Sequence, residues 1–190
     1  MSDNLVRQSV FSPDSGKSFK ILDSEALMGE ADSYYRSEAE RIFQEAYQMQ
    51  MDGKLEDAIV LYRKSLELFP TAEAHTFLGW AFSFQGHYDA AIDECHKAIE
   101  IDPEFGNPYN DIGAYMIEKG RLDDAIPWLE KAIQAKRYDS YCFPHYNLGR
   151  VWEKKGNWMR ALSCYQSAVR DNPEYTLAKK AAMRIEGMLN

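Results

Sequence analysis

A glycine that returns about every 34 residues constrains this chain more than any other feature. Leu78-Gly79 recurs as Ile112-Gly113 and Leu148-Gly149, and seven residues after each lies a second glycine: Gly86, Gly120 and Gly156. Tyr88, Leu122 and Trp158 follow two residues later, and Ala91, Ala125 and Ala161 three residues after those. An upstream copy carries Ala46 in place of the first glycine, then Gly53, Leu55 and Ala58 at the same offsets. The anchors 46, 79, 113 and 149 lie 33, 34 and 36 residues apart. Self-similarity at such a period marks a repeat architecture, in which each unit buries its oily side only against its neighbours.

The physics of one unit follows from its residues. Apolar positions recur at helical spacing from Thr71 to Gln85, and Gly86 stops the run, because glycine tolerates the left-handed conformation that ends a helix. A second periodic run covers Asp89 to Ile101, and Asp102-Pro103 closes it, since proline cannot continue a helix interior. Each unit therefore reads as two antiparallel helices joined by a tight turn. Gly79 and Ala91 let those helices approach closely, and Ala98 does the same towards the next unit.

On these residues the chain resembles the tetratricopeptide repeat family, whose 34-residue pattern runs from an aromatic through Leu-Gly, Tyr, Ala and Phe to a closing Pro. Unit two supplies Leu78, Gly79, Phe82, Gly86, Tyr88, Ala91, Ala98 and Pro103; unit three Tyr109, Ile112, Gly113, Gly120, Leu122, Ala125, Leu129 and Ala132. Unit four supplies Leu148, Gly149, Trp152, Gly156, Trp158, Ala161, Tyr165, Ala168 and Pro173; unit one Ala46, Gly53, Leu55, Ala58, Tyr62 and Pro70. The resemblance implies an all-α fold: an α-α superhelix of about four helix pairs plus a C-terminal capping helix. The expected organisation is an N-terminal arm over 1–38, repeats at about 39–71, 72–105, 106–141 and 142–171, and the capping helix over 172–190.

Departures from the pattern carry their own expectations. Glu45 stands where the family wants Leu, and His75 and His145 replace the aromatic near the start of units two and four. Arg137 stands where unit three should close with Pro, so either its second helix runs on or the 137–141 loop bulges. Pro127 sits early in that second helix, where a missing N–H is cheap only in the first turn. Residues 1–22 show no clear period, and Ser24 to Ser37 reads as a short helix interrupted at Gly29. At the other end Leu177, Ala181, Ala182, Ile185 and Met188 form an apolar stripe, backed by Lys179, Lys180, Arg184 and Glu186, suited to closing a solenoid.

Composition narrows the function. With 22 Lys and Arg against 30 Asp and Glu the net charge is −8, which repels phosphate backbones, so no nucleic acid is expected as partner. No apolar run reaches the length of a membrane span, and Met1 to Arg7 lacks the charged-then-apolar order of a signal peptide. Three cysteines at unrelated spacings, Cys95, Cys142 and Cys164, fit a reducing compartment, so a cytoplasmic location is expected. Ser15-Gly16-Lys17-Ser18 matches the end of a phosphate-binding loop, but Phe11 stands where that loop needs its first glycine. Adjacent Cys95 and His96 point about 100° apart on a helix and do not share a metal. No nucleophile, base and orienting group come together, so the residues support neither catalysis nor a cofactor.

In the resembled family the first helices of the repeats line a concave groove that binds partner segments. Mapped onto this chain, the groove carries Phe43, Tyr47, Gln50 and Met51 in unit one, and Thr76, Phe77, Trp80 and Phe84 in unit two. Unit three gives Asn107, Asn110, Asp111, Ala114 and Ile117; unit four gives Phe143, Tyr146, Asn147, Arg150 and Lys154. The binding residues expected are Phe43, Tyr47, Met51, Thr76, Trp80, Phe84, Asn110, Tyr146, Asn147 and Arg150. Aromatic and Met side chains would take apolar groups, while Asn110, Asn147 and Arg150 would meet the segment's backbone or an acidic group. Phe43, Phe77 and Phe84 have a plainer reading as packing between helices. A third reading lays the arm (Val10, Phe11, Phe19, Ile21, Leu22) in the groove. The Lys, Arg and Asn cluster with which some family members hold chaperone tails is matched only at Asn147 and Arg150.

The expected function is therefore a non-enzymatic adaptor holding a linear segment of another protein, as monomer or homodimer. The alternative is a dedicated chaperone of the bacterial secretion type, which shares the helical arm, tandem repeats, closing helix and acidic charge.

Overall fold

Four glycines with positive φ set the architecture. Gly53, Gly86, Gly120 and Gly156 have φ of 78°, 76°, 74° and 74°, the left-handed region that side chains with a Cβ enter only under strain. At each the chain reverses between two helices; around Gly86, the Gly86 N–H reaches the Ser83 carbonyl and the His87 N–H the Phe82 carbonyl. The computed structural model describes residues 24–189, and among them there are nine helices. They are α1 (Ser24–Met51), α2 (Leu55–Leu68), α3 (Ala72–Phe84), α4 (Tyr88–Ile101), α5 (Asn107–Glu118), α6 (Leu122–Gln134), α7 (Cys142–Lys154), α8 (Trp158–Asp171) and α9 (Thr176–Leu189). The arm residues Val10, Phe11, Phe19, Ile21 and Leu22, and the Ser15–Ser18 motif, lie outside the described residues.

The strongest packing is within the pairs α1–α2, α3–α4, α5–α6 and α7–α8, and each pair then leans on the next. The odd-numbered helices from α1 to α7 also touch in series and form one continuous wall. Small residues set the spacing within a pair. A Cβ on Gly79 would stand 2.9 Å from the Ala91 carbonyl oxygen, and one on Gly113 or Gly149 would stand 2.5 Å from Leu129 or Tyr165. Ala46 holds the same position in unit one with its methyl fully buried. Tyr62 and Tyr165, at one repeat position, reach back to the first helix of their own pair: their hydroxyls donate to Gln50 at 2.9 Å and to Glu153 at 2.7 Å. The result is an all-α superhelix whose apolar core runs between successive helices rather than gathering at one centre.

Two expectations are corrected, at Gly29 and on α9, and the two alternatives left open at Arg137 are decided between. No interruption occurs at Gly29, because α1 runs unbroken for 28 residues. The departure at Arg137 takes the form of a loop, not a longer helix: α6 stops at Gln134, and Phe105 and Arg137 pair as an isolated bridge. The Arg137 N–H donates to the Glu104 carbonyl (3.0 Å), and the Gly106 N–H donates to the Arg137 carbonyl (3.1 Å). On α9 the buried face is Ala178, Ala181, Ala182 and Ile185, while Leu177 and Met188 are exposed. Pro127 lies beyond the first turn of α6 on its exposed side, and the helix continues through it. No helix among the described residues is long and apolar enough to cross a membrane.

Candidate functional site

The wall of odd-numbered helices carries a cleft of about 250 Å³ between α3, α5, α7 and the loop joining α6 to α7. A volume below the usual range for small-molecule sites suits one or two side chains better than a cofactor. Its apolar side is Phe77 and Trp80 from α3 and Phe143 from α7; its polar side is Asn107, Asn110 and Asp111 from α5. Tyr138 and Ser140 complete it from the loop.

The loop is held where the repeat pattern fails. Arg137 donates from its guanidinium to Asp102 (2.7 Å) and to Glu73 (2.7 Å), and lies 4.1 Å from the centre of the Phe105 ring. These bonds tie the end of unit three to both ends of unit two. Tyr138 beside it is buried against Gly106, whose missing Cβ leaves the space for the phenol ring.

From the cleft, rings continue towards unit one. Phe77 meets Trp80 at 5.8 Å, Tyr47 at 5.5 Å and Phe43 at 5.3 Å, all edge to face, and Trp80 meets Phe84 at 5.2 Å. Such contacts hold rings in place at about 0.5–1.5 kcal/mol each beyond their buried area. Tyr47 and Phe84 remain exposed at 38% and 58%, so the row is fixed on one side and open on the other.

In the other direction runs a ladder of polar groups. The Asn110 amide donates to the Asp111 carboxylate (3.2 Å), and the Asn147 amide donates to the Asn110 oxygen (3.0 Å). The Arg150 guanidinium donates to the Asn147 oxygen (3.2 Å) and to Glu118 (2.5 Å). Asn110 and Asn147 are buried, and each amide nitrogen gives one hydrogen bond within the ladder. Asp111 is half-buried, and among the described residues no Lys or Arg pairs with it. Desolvation pushes its carboxyl from 3.8 up to about 7, against the opposing pull of the Asn110 hydrogen bond.

The structure thus brings Thr76, Trp80 and Asn110 together in the cleft, with Asn147 and Arg150 joined to it by hydrogen bonds and Phe43, Tyr47 and Phe84 by ring contacts. Thr76 is buried, and its hydroxyl donates to the Ala72 carbonyl of its own helix (2.7 Å), which leaves it as a wall. Met51 and Tyr146 do not line this cleft: Met51 is exposed at the end of α1, and Tyr146 packs on Tyr165 and Tyr175. Phe43 and Phe77 serve both readings, since they pack between units one and two and carry the exposed row. His75 and His145, at the aromatic position, face Glu94 (2.6 Å) and Asp171 (3.6 Å). Tyr138 and Ser140 are the lining residues that the repeat pattern alone does not supply; the two extra residues of unit three are the signal that points to them. Among the described residues, no cluster of three or more His, Cys, Asp or Glu could hold a metal ion.

Models of the tetratricopeptide repeat match residues 72–105, 108–139 and 145–174, together just over half of the chain. The chain belongs to the tetratricopeptide repeat family. Tetratricopeptide repeats mediate protein–protein interactions and are generally non-catalytic. Among relatives, the chain is 35% identical over 78 residues to a small glutamine-rich tetratricopeptide repeat-containing protein 2 of Mycosarcoma maydis, covering 40% of this chain and 22% of that one. It is 29% identical over 121 residues to the type IV pilus assembly protein PilF of Pseudomonas aeruginosa, covering 63% of this chain and 48% of PilF. The chain therefore spans less than half the length of either relative. The solved structure of PilF superposes with a TM-score of 0.73 at 26% identity, covering 79% of this chain and 68% of that one. YrrB, at a TM-score of 0.58 and 22% identity over 77% of this chain and 75% of its own, shares the fold.

Proposed function

We propose that the concave wall of α3, α5 and α7 holds a linear segment of a partner protein, and that the chain works as a non-catalytic adaptor. The observation that carries this reading is the meeting, along one wall, of an aromatic row open on one side with the hydrogen-bonded run of Asn110, Asn147 and Arg150. An extended polypeptide needs both: pockets for its apolar side chains, and partners for the backbone groups that binding strips of water. YrrB is described as a tetratricopeptide repeat protein with an unusual peptide-binding site, which supports a peptide as the class of ligand. PilF is named as an assembly protein, which supports a partner that is itself part of a larger structure.

The test is recovery of partners by the full chain against Trp80→Ala and Asn147→Ala. Trp80 is a half-buried ring at the centre of the row, the kind of residue whose truncation costs about 2 kcal/mol or more at an interface. Both variants should lose the partners that the wild type retains, with helical content unchanged by circular dichroism. Equal recovery by both would refute the groove as the binding site.

A further inference from the structure

We propose that the cleft selects a Lys or Arg side chain of the bound segment, with its charged head on Asp111 and its aliphatic stem against Phe77, Trp80 and Phe143. The inference rests on reading the wall as a peptide site, and it names the chemistry that site prefers.

Asp111 is an uncompensated carboxylate. It sits in a cleft with aromatic walls, receives one amide hydrogen bond from Asn110, and among the described residues is paired with no cation. The nearby positive charge is spoken for, because Arg150 is bonded to Glu118 and Asn147. A purely apolar occupant would strip the remaining water from Asp111 and give nothing back, which is costly for an ionised group. An acidic occupant would add repulsion. A basic side chain matches both halves of the cleft. Its methylenes lie along rings, its cation is attracted by their π faces, and its head makes a charge-assisted hydrogen bond to the carboxylate.

The occupant also couples binding to pH. Asp111 must lose its proton to accept the cation, and its carboxyl ionises near 7, so affinity should rise with pH through neutrality. The other titratable groups facing it behave differently. Burial pushes Cys95 from α4, Tyr115 on its own helix and Tyr138 from the loop above their usual ranges. From α7, Arg150 stands at the far end of the hydrogen-bonded ladder, and neither α3 nor α6 contributes an ionisable lining residue. His75 on α3 is held on Glu94 of α4. All of these groups are retained when Asp111 alone is changed to Asn.

The experiment selects peptides from a random displayed library with the full chain at pH 8, then measures synthetic winners by calorimetry against wild type, Asp111→Asn and Trp80→Ala. Wild type should select sequences with Lys or Arg beside an apolar residue. Replacing that Lys by norleucine should weaken binding to wild type about tenfold, the size of one charge-assisted contact, and leave binding to Asp111→Asn within about twofold. Wild-type affinity should tighten about tenfold between pH 6 and pH 8, while that of Asp111→Asn stays flat. Winners without a basic residue, or a norleucine penalty equal in both proteins, overturn the cation while the groove stands, provided Trp80→Ala still weakens binding. If no peptide is selected, or Trp80→Ala binds the winners as well as wild type, the groove reading falls and this inference with it.

Discussion

Asp111→Asn should make the unliganded protein more stable, and more so as the pH rises. In the unfolded chain an aspartate ionises near its reference value of 3.8, whereas in the folded chain Asp111 ionises near 7. Between those values the folded state holds the proton more tightly, so stability falls as pH rises through that window and the penalty is complete above it. At about 1.4 kcal/mol per pH unit the full shift amounts to about 4 kcal/mol. Asparagine has the same shape, can still accept from the Asn110 amide, and has no charge to bury. Urea denaturation of both proteins at pH 5, 6, 7 and 8 reads the difference directly. The advantage of the variant should reach about 4 kcal/mol at pH 8 and fall to about 2 kcal/mol at pH 5. Other groups titrating in this range, including His145 with its pKa lowered by burial, are common to both chains and cancel. A variant no more stable than wild type at pH 8, or one whose advantage is the same at pH 5, would refute the claim that the groove strands a charge.

Two further changes probe the repeat itself. Gly149→Ala should destabilise by about 1–3 kcal/mol, as overpacked sites do, because Tyr165 is pinned by its hydrogen bond to Glu153 and cannot retreat from the new methyl; an unchanged melting temperature would show that the close approach is not needed. Pro127→Ala should stabilise by about 1–3 kcal/mol, since Pro127 is exposed and its ring removes a hydrogen bond from the interior of α6; thermal melts that fail to rise would mean that α6 has already relaxed around it.

Most of the fold was legible because the deciding residues act locally. Gly86 ends α3 and reverses the chain by its own backbone conformation, and Gly79 and Ala91, twelve residues apart, set how close α3 and α4 lie. What could not be read depended on distant surfaces. Whether α6 ran on or gave way to a loop was decided by Glu73, Asp102 and Phe105, which lie 32 to 64 residues from Arg137. The buried stripe of α9 was set by the side of α8 it meets: small Ala178 faces inward there and Leu177 does not. Candidate site residues show the same division. Trp80 and Asn110 follow from repeat position alone, whereas the pairing of Asn147 with Asn110, 37 residues apart, needed the rotation between units three and four.

The cleft and the irregularity in the repeat are one feature. A unit of regular length would close after α6 and pass directly to α7, leaving α3, α5 and α7 as a smooth wall. The longer spacing between the third and fourth anchors instead supplies a loop, and Arg137 folds it back onto unit two through Asp102, Glu73 and Phe105. That puts Tyr138 and Ser140 opposite Trp80 and turns an open groove into a pocket with a polar floor and aromatic sides. The same closure sets Tyr138 close enough to Asp111 for the carboxylate's charge to oppose ionisation of the phenol. A local rule of the repeat is broken at the point where the cleft of the proposed site forms, as expected when regularity yields to function. On the proposed reading Asp111, Phe77, Trp80 and Phe143 make the choice of side chain, and the extra residues of unit three act by closing the pocket beside them with Tyr138 and Ser140.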